Sequence, residues 1–248
     1  MEPINFVIVF LAGLISGSYG TLIGGGSLIS IPTLIFLGLP PHIAIGTNRF
    51  GVLGLNIVGW ITFHRLKNVT YQIGLPFGIA ALTGSLIGAL LIFEFNEINL
   101  RRAVALINIL CIVVIILNPK FGTEHKQLSI KNGNKILGFS LSFLVGVYGG
   151  FYGALSGTFL SYILVFVFGE TFIESAGTRK IAQVFLSVVA VIVFYFGKII
   201  DYPLAMTLFI GMAAGSYIGS RYFSQIGNFW VKKFFLMIIL ISSLKLLI

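Results

Sequence analysis

Three observations predict an all-α polytopic membrane protein made of two inverted-topology repeats of about five helical segments each, with discontinuous or re-entrant helices at glycine-rich breaks. Hydrophobic residues make up 57% of the 248-residue chain and charged residues 9%, with a mean hydropathy of +1.04. No ordinary soluble core has that composition. Apolar runs punctuated by glycine, proline or charge follow one another along the whole chain, and the same small-residue pattern returns in the second half at a nearly constant offset.

In order, the apolar runs fall at about 4–23, 27–38, 47–63, 72–93 and 103–117. The opening MEPINFVIVFLAGLISG has no basic leader and no small-residue cleavage site, so it reads as the first membrane segment. Residues 118–135 form the one long polar connection, expected to be cytoplasmic. It separates an N-terminal transmembrane repeat, 1–117, from a C-terminal one, 136–248. Beyond it the runs recur at about 136–153, 156–168, 177–197, 202–221 and 231–248.

The organising stretch is residues 13–49, where Gly24, Gly25 and Gly26 interrupt an apolar segment and Ser27 and Pro32 follow. Unwound backbone at membrane depth survives only where it is buried in protein or lines a wet cavity. Ser27 suits an N-cap, so a short helix over 28–37 would aim its free N–H groups into the break. Those donors and the positive end of the helix dipole favour an anion. Close helix packing is the competing reading of such glycines.

The recurrence is specific. At an offset of 129, Gly17, Tyr19, Gly20, Gly24 and Ser27 match Gly146, Tyr148, Gly149, Gly153 and Ser156. At an offset of 131, Gly46 and Thr47 match Gly177 and Thr178, Gly84, Ser85, Ile87 and Gly88 match Gly215, Ser216, Ile218 and Gly219, and Arg102 matches Lys233. Apolar composition alone would align leucines and isoleucines, not GT and GSxIG. With five runs per repeat, eleven of the sixteen basic residues fall on one side and five on the other. Four crossings per repeat would split them eight against eight. The positive-inside rule therefore favours the odd count, inverted repeats, and a multi-pass protein of the cell (plasma or inner) membrane with both termini outside. Charge does not separate a re-entrant hairpin at the first two runs from two full crossings.

Inverted repeats place substrate near the midplane, between broken helices. The breaks are Gly24, Gly25, Gly26 and Ser27 in one half and the segment from Gly153 through Ser156, Gly157 and Thr158 in the other. A second constellation begins at Thr47 and Thr178. Asn48, Val52 and Asn56 share one helical face, and Arg179, Gln183 and Ser187 share the matching face. Polar residues in apolar helices turn toward the bundle interior or a wet cavity, so these faces are expected to line the pathway, with interhelical hydrogen bonding as the alternative for Asn56 and Ser187. Arg49 and Lys180 follow the GT pairs. Either could snorkel to an interface, but Arg49 has no acidic neighbour in sequence and an anion would suit it. Asn108, Tyr148, Tyr152, Tyr162 and Tyr195 are further polar candidates, with packing as the commoner role of tyrosine.

Several chemistries are excluded or disfavoured. Cys111 is the single cysteine, and His42, His64 and His125 lack metal-ligand spacing, so no metal and no cofactor is expected. The seven carboxylates, Glu2, Glu94, Glu97, Glu124, Glu170, Glu174 and Asp201, sit at run ends or in loops, which leaves no buried acid for a proton relay. There is no nucleotide-binding loop. The net charge of +9 is dispersed between apolar runs and does not suggest nucleic acid. The expected partners are a small anionic substrate and the lipid bilayer, and assembly into a homo-oligomer stays open.

The glycine-rich GGGSLISIP, the following LGLPPHIAIGTN and the second copy ending in ESAGTRK resemble the TauE/SafE family of sulfite and organosulfonate transporters over nearly the whole length. Family members usually carry a longer glycine run and a serine after the GT pair, where this chain has GGGS and Asn48. The resemblance implies secondary transport or export of a small sulfur-containing anion such as sulfite, sulfoacetate or another organosulfonate, by alternating access and without catalysis. An anion channel or a facilitator for another oxyanion or carboxylate is the alternative. An intramembrane enzyme fits less well, since the carboxylates and histidines supply no acid, base or metal ligands at depth, and a non-transporting membrane subunit fits less well, since it would not need two matched breaks.

Overall fold

The computed structural model describes residues 3–22, 24–96, 98–99, 102 and 135–222. The runs expected at 103–117 and 231–248, with Arg101, Asn108 and Cys111, lie outside the described residues, as do nearly all of the polar connection, His125 and Lys233. Among the described residues the regular structure is helical. The first half contains α1 (Pro3–Leu22), α2 (Ser27–Phe36), α3 (Pro41–Arg65) and α4 (Tyr71–Leu91), the last continued by a short 3₁₀ turn, Ile92–Glu94. The second half contains α5 (Lys135–Phe151), α6 (Ser156–Phe168), α7 (Phe172–Phe196) and α8 (Tyr202–Tyr222).

Local chemistry sets the boundaries. Pro41 occupies the first turn of α3, where its missing N–H costs nothing, so α3 begins well before the apolar run that marked it. A capping box of Thr171 and Glu174 starts α7, again ahead of its apolar run. Both α3 and α7 end on a lysine in the left-handed region, Lys67 at φ 58° and Lys198 at φ 55°. The following amide closes each end, with Asn68 N–H donating to Phe63 C=O and Ile199 N–H to Phe194 C=O.

Among the described residues, four helical stretches are long and apolar enough to cross a bilayer: Pro3–Thr21, Tyr71–Glu94, Ile173–Phe196 and Tyr202–Arg221. Their large apolar side chains point outward, as with Ile4, Leu11, Ile79, Leu90, Ile192 and Ile210, while serine, threonine, asparagine and arginine are buried between helices. This is the polarity of a membrane protein, in which lipid replaces water outside.

Contacts in the two halves exchange one for one. Ser85 Oγ donates to Leu186 C=O at 2.8 Å and Ser216 Oγ to Leu55 C=O at 2.8 Å. Asp201 N–H donates to Thr47 Oγ1 at 2.9 Å, and Thr70 N–H to Thr178 Oγ1 at 3.0 Å. Every partner in one bond of a pair becomes its partner in the other at the 131-residue offset. Along α1 and α8, Phe10, Leu14 and Ser18 meet Gly211, Gly215 and Gly219 in rising order, and along α4 and α5, Ala81 and Ser85 meet Gly146 and Gly150. Those pairs are parallel. By contrast α3 and α7 are antiparallel, since Phe63 meets Gly177 while Asn56 meets Lys180. Hence α1, α3 and α8 run one way and α4, α5 and α7 the other, so matching helices point in opposite directions. Because α1 and α3 run the same way, α2, about 15 Å long, carries the chain back between them.

Ser27 is the first residue of α2 rather than its cap. Gly26 holds the cap position without a side-chain bond, because the Ser27 hydroxyl is taken by Asn48 Nδ2, which donates to it at 3.0 Å.

The parallel pairs depend on glycine for close approach: a Cβ on Gly88 would strike Val147 C=O, and one on Gly219 would strike Ser18 C=O. Gly88→Ala and Gly219→Ala are each expected to lower unfolding stability by about 1–3 kcal/mol. The losses should add in the double variant, since the two contacts lie in separate helix pairs; reversible unfolding in mixed micelles checks this.

Candidate functional site

Two helix breaks meet at the centre. In the first, Gly24 and Gly25 adopt φ of 91° and 84°; in the second, Gly153 adopts 83° and Leu155 60°. A Cβ on Gly24 would lie 2.6 Å from both the amide nitrogen and Oγ1 of Thr158, so the breaks touch and glycine is required there twice over. Tyr148 stabilises the second break by donating its hydroxyl to Ala154 C=O at 2.5 Å.

Between them lies a cavity of about 20 Å³ lined by Gly20, Gly24, Gly25, Gly26, Ser27, Arg49, Val52, Leu55, Asn56, Gly153, Ser156, Gly157, Gln183, Leu186 and Ser187. That volume is room for about one water-sized centre. The starts of α2 and α6 contribute their first-turn backbone to it.

Three cations are buried around this chamber. Arg49, Arg179 and Lys180 are 1%, 0% and 0% exposed, and no carboxylate is among the described residues that line the cavity. Arg49 Nη2 donates to Gly149 C=O, in the last turn of α5. Arg179 Nη1 donates to Gly157 C=O and Nη2 to Thr21 C=O, at the end of α1, both at 2.8 Å. Each guanidinium therefore sits against the negative end of a helix dipole. Lys180 Nζ donates to Asn56 Oδ1 at 3.3 Å. Four polar atoms of the lining have no partner: Arg49 Nε, Asn56 Nδ2, Gln183 Oε1 and Ser187 Oγ. An unmade bond at a buried polar group costs about 1–3 kcal/mol, and these four are gathered in one chamber.

Of the residues expected from sequence, Gly24, Gly25, Gly26, Ser27, Arg49, Asn56, Gly153, Ser156, Gly157, Gln183 and Ser187 come together in the lining, with Thr158 against Gly24. The others do not line it. Thr47 and Thr178 receive the amides of Asp201 and Thr70 and act as staples between the halves. Asn48 clamps α2 to α3 through Ser27 and, at 2.5 Å, Ser30. Arg179 lies one layer behind the cavity, on Gly157 C=O. Tyr195 is 58% exposed on the outer surface.

One residue escaped the sequence reading. Glu170, in the loop between α6 and α7, is 6% exposed. Thr178 Oγ1 donates to its Oε1 at 2.9 Å, and Oε2 has no partner. A visible signal exists in GETFIE, where the capping box uses Glu174 and leaves Glu170 without a capping role.

The family profile described as "Sulfite exporter TauE/SafE" matches residues 9–246. The chain belongs to the TauE/SafE family. The "Probable membrane transporter protein YfcA" of Escherichia coli K12 is 25% identical, the alignment covering 100% of this chain and 91% of the relative. In Bacillus subtilis, the "Probable membrane transporter protein YjnA" is 29% identical, covering 97% of this chain and 99% of the relative. The corresponding figures for YdhB of the same organism, also named a probable membrane transporter protein, are 28%, 87% and 88%. No solved structure shows a significant match.

Burial pushes the Glu170 carboxyl up from 4.5 to about 7, against the bonds from Thr178 and Thr70, with the Glu174 charge adding to the rise. The folded protein thus keeps this proton longer than the unfolded chain does. Below about pH 4.5 the group costs the fold nothing, and its ionisation weakens the fold progressively as pH rises through about 7. Glu170→Gln is expected to raise stability by roughly 2–3 kcal/mol at about pH 8 and to leave it unchanged at about pH 4, measured as the unfolding midpoint in detergent at each pH.

Proposed function

We propose that this protein is a secondary membrane transporter of a small sulfur-containing oxyanion, either sulfite or an organosulfonate such as sulfoacetate, moving it by alternating access. The single observation carrying the reading is the central chamber: two helix starts, a buried guanidinium, four unsatisfied polar atoms and, among its described lining residues, no carboxylate. Such a site attracts negative charge and leaves a cation without a partner. The printed names of the relatives support a transporter, and the name of the family supports sulfite.

The exchange of contacts between halves supports the mode of movement. Two repeats whose matching helices point in opposite directions suit inverted topology, in which the arrangement closed at one end can be adopted in mirror sense at the other. Orientation follows the basic residues. Arg49, Arg179 and Lys180 are buried and give no interface signal, which corrects the sequence tally to nine against four, still the same sense. In this reading the turn 66–70 is cytoplasmic, both termini are outside, and the protein sits in the cell membrane.

Uptake of sulfite and sulfoacetate into proteoliposomes tests the assignment. Gly157→Ala places a methyl 2.6 Å from Gln183 Nε2 in the chamber, and Ser187→Ala removes an unpartnered hydroxyl. Each is expected to lower flux by about tenfold, roughly 1.4 kcal/mol, while Ser187→Ala unfolds no more easily than the parent because it abolishes an unmade bond. Equal flux in parent and variants would remove the chamber from the pathway, and transport of cations alone would overturn the anion assignment.

A further inference from the structure

The two halves are joined by the same staple, and one copy has an acid, Glu170, where the other has a leucine, while the Asp201 carboxylate of the other copy caps α8 through the Leu204 N–H. In the first half, Thr47 Oγ1 accepts the Asp201 amide, and the position matching Glu170 is Leu39, a buried apolar residue at 5% exposure. In the second half, Thr178 Oγ1 accepts the Thr70 amide and donates to Glu170. Building the joint therefore does not require a carboxyl group at that position. Glu170 nevertheless occupies it with one oxygen bonded and the other, Oε2, without a partner.

Among the described residues, the surroundings do not offset a negative charge there. Glu174 on α7 is the charged group acting on Glu170, and it is repulsive. From the facing turn come Thr70, which is neutral, and Lys67, which is exposed. At the end of α3, His64 is exposed and its Nδ1 is paired with the Tyr71 hydroxyl at 2.9 Å. A neutral carboxyl is tolerated in this joint, whereas a carboxylate needs water or a cation. Water reaches it only if the loop 169–171 parts from the turn 66–70. The same loop terminates α6, whose other end is Ser156 and Gly157 in the chamber wall, so a shift at the loop is carried by a rigid helix to the site.

We infer that Glu170 is a proton-binding site that couples anion movement to protons: protonated, it holds the end of the bundle at turns 66–70 and 169–171 closed, and on losing its proton it releases that end. The coupling role rests on the transport reading above; the proton site itself does not. The step is a proton exchange between the carboxyl and water, with no other bond changed.

Infrared titration of the purified protein in lipid nanodiscs, parent minus Glu170→Gln, reads the site directly. A carboxyl band titrating with a midpoint near pH 7 is expected; a midpoint near the ordinary value of about 4.3 overturns the proposal. Sulfoacetate flux in proteoliposomes at about pH 6 and about pH 8 reads the coupling. The parent should change at least about tenfold between them and Glu170→Gln less than about twofold, with sulfoacetate exchange at equal pH retained. Glu170→Leu, which copies Leu39 of the first half, should behave like Glu170→Gln and covers the case in which the amide misfolds. Parental pH dependence in either variant, or its loss in His64→Gln instead, overturns the coupling. Absent sulfoacetate flux in the parent would sink the coupling and the substrate reading together, while the infrared midpoint still decides the proton site.

Discussion

The buried guanidinium of Arg49, beside a chamber whose described lining includes no carboxylate, is the constraint from which the rest of the architecture follows. A broken helix exposes two opposite ends at once, the carbonyl end of the segment before the break and the N–H end of the segment after it. An anion drawn to one would be repelled by the other. Here the guanidinium of Arg49 covers the carbonyl end of α5, and that of Arg179 covers the carbonyl end of α1. The negative ends are thereby neutralised by residues of the opposite half, and the N–H ends of α2 and α6 are left to dominate the field in the chamber. Both guanidinia donate to backbone carbonyls, and no carboxylate is among the described residues that line the chamber beside Arg49.

Contacts exchange one for one between the halves at the 131-residue offset, and the two breaks touch where Gly24 meets Thr158. Framework pairs keep their identity across that exchange: Thr47 with Thr178, Ser85 with Ser216, Gly88 with Gly219. Lining pairs do not. Val52 stands opposite Gln183 and Asn56 opposite Ser187, and Arg49 is matched by Lys180. A framework shared by both halves permits either end to close by the same packing, while an unequal lining lets an asymmetric ligand be held in one orientation. Glu170 opposite Leu39 extends the inequality from the chamber to one exit.

Much of this was legible in the chain because the signals were punctuation rather than composition. GT and GSxIG at one offset mark glycines against neighbouring backbone and hydroxyls between halves, and both recur in space as they do in sequence. Glycine triplet and serine marked the break correctly. Helix starts were harder to read, since α3 and α7 begin at proline and at a capping box, ahead of any apolar run. Helical periodicity identified the polar faces without ranking their members. Asn48 and Arg179 lie at the right angular position but are consumed by Ser27, Ser30 and two carbonyls, a matter of tertiary partners that no spacing reveals. Glu170 was hidden for the same reason. A loop position in sequence is ordinarily wet, and only the packing of turn 66–70 over it removes the water.

Several buried hydroxyls at the helix interfaces are satisfied, Ser85 by Leu186, Ser142 by Phe77 and Ser216 by Leu55, while Ser16 Oγ and Ser161 Oγ are not. The satisfied bonds replace water lost on folding and hold the halves in register. What distinguishes the chamber is that four unmet atoms, from four helical positions on α3 and α7, gather in one place. A chain that needed only to pack would fill these positions with apolar groups, as it does at Val52 and Leu186, and would gain stability by doing so. Retaining unmet donors and acceptors together, beside the buried Arg49 guanidinium and behind two broken helices, is sensible only if something else completes them during part of the protein's cycle. Arg49 Nε, Asn56 Nδ2 and Ser187 Oγ need an acceptor that also offsets positive charge, which under the proposed reading is a small oxyanion, while Gln183 Oε1 needs a donor such as a water held beside it.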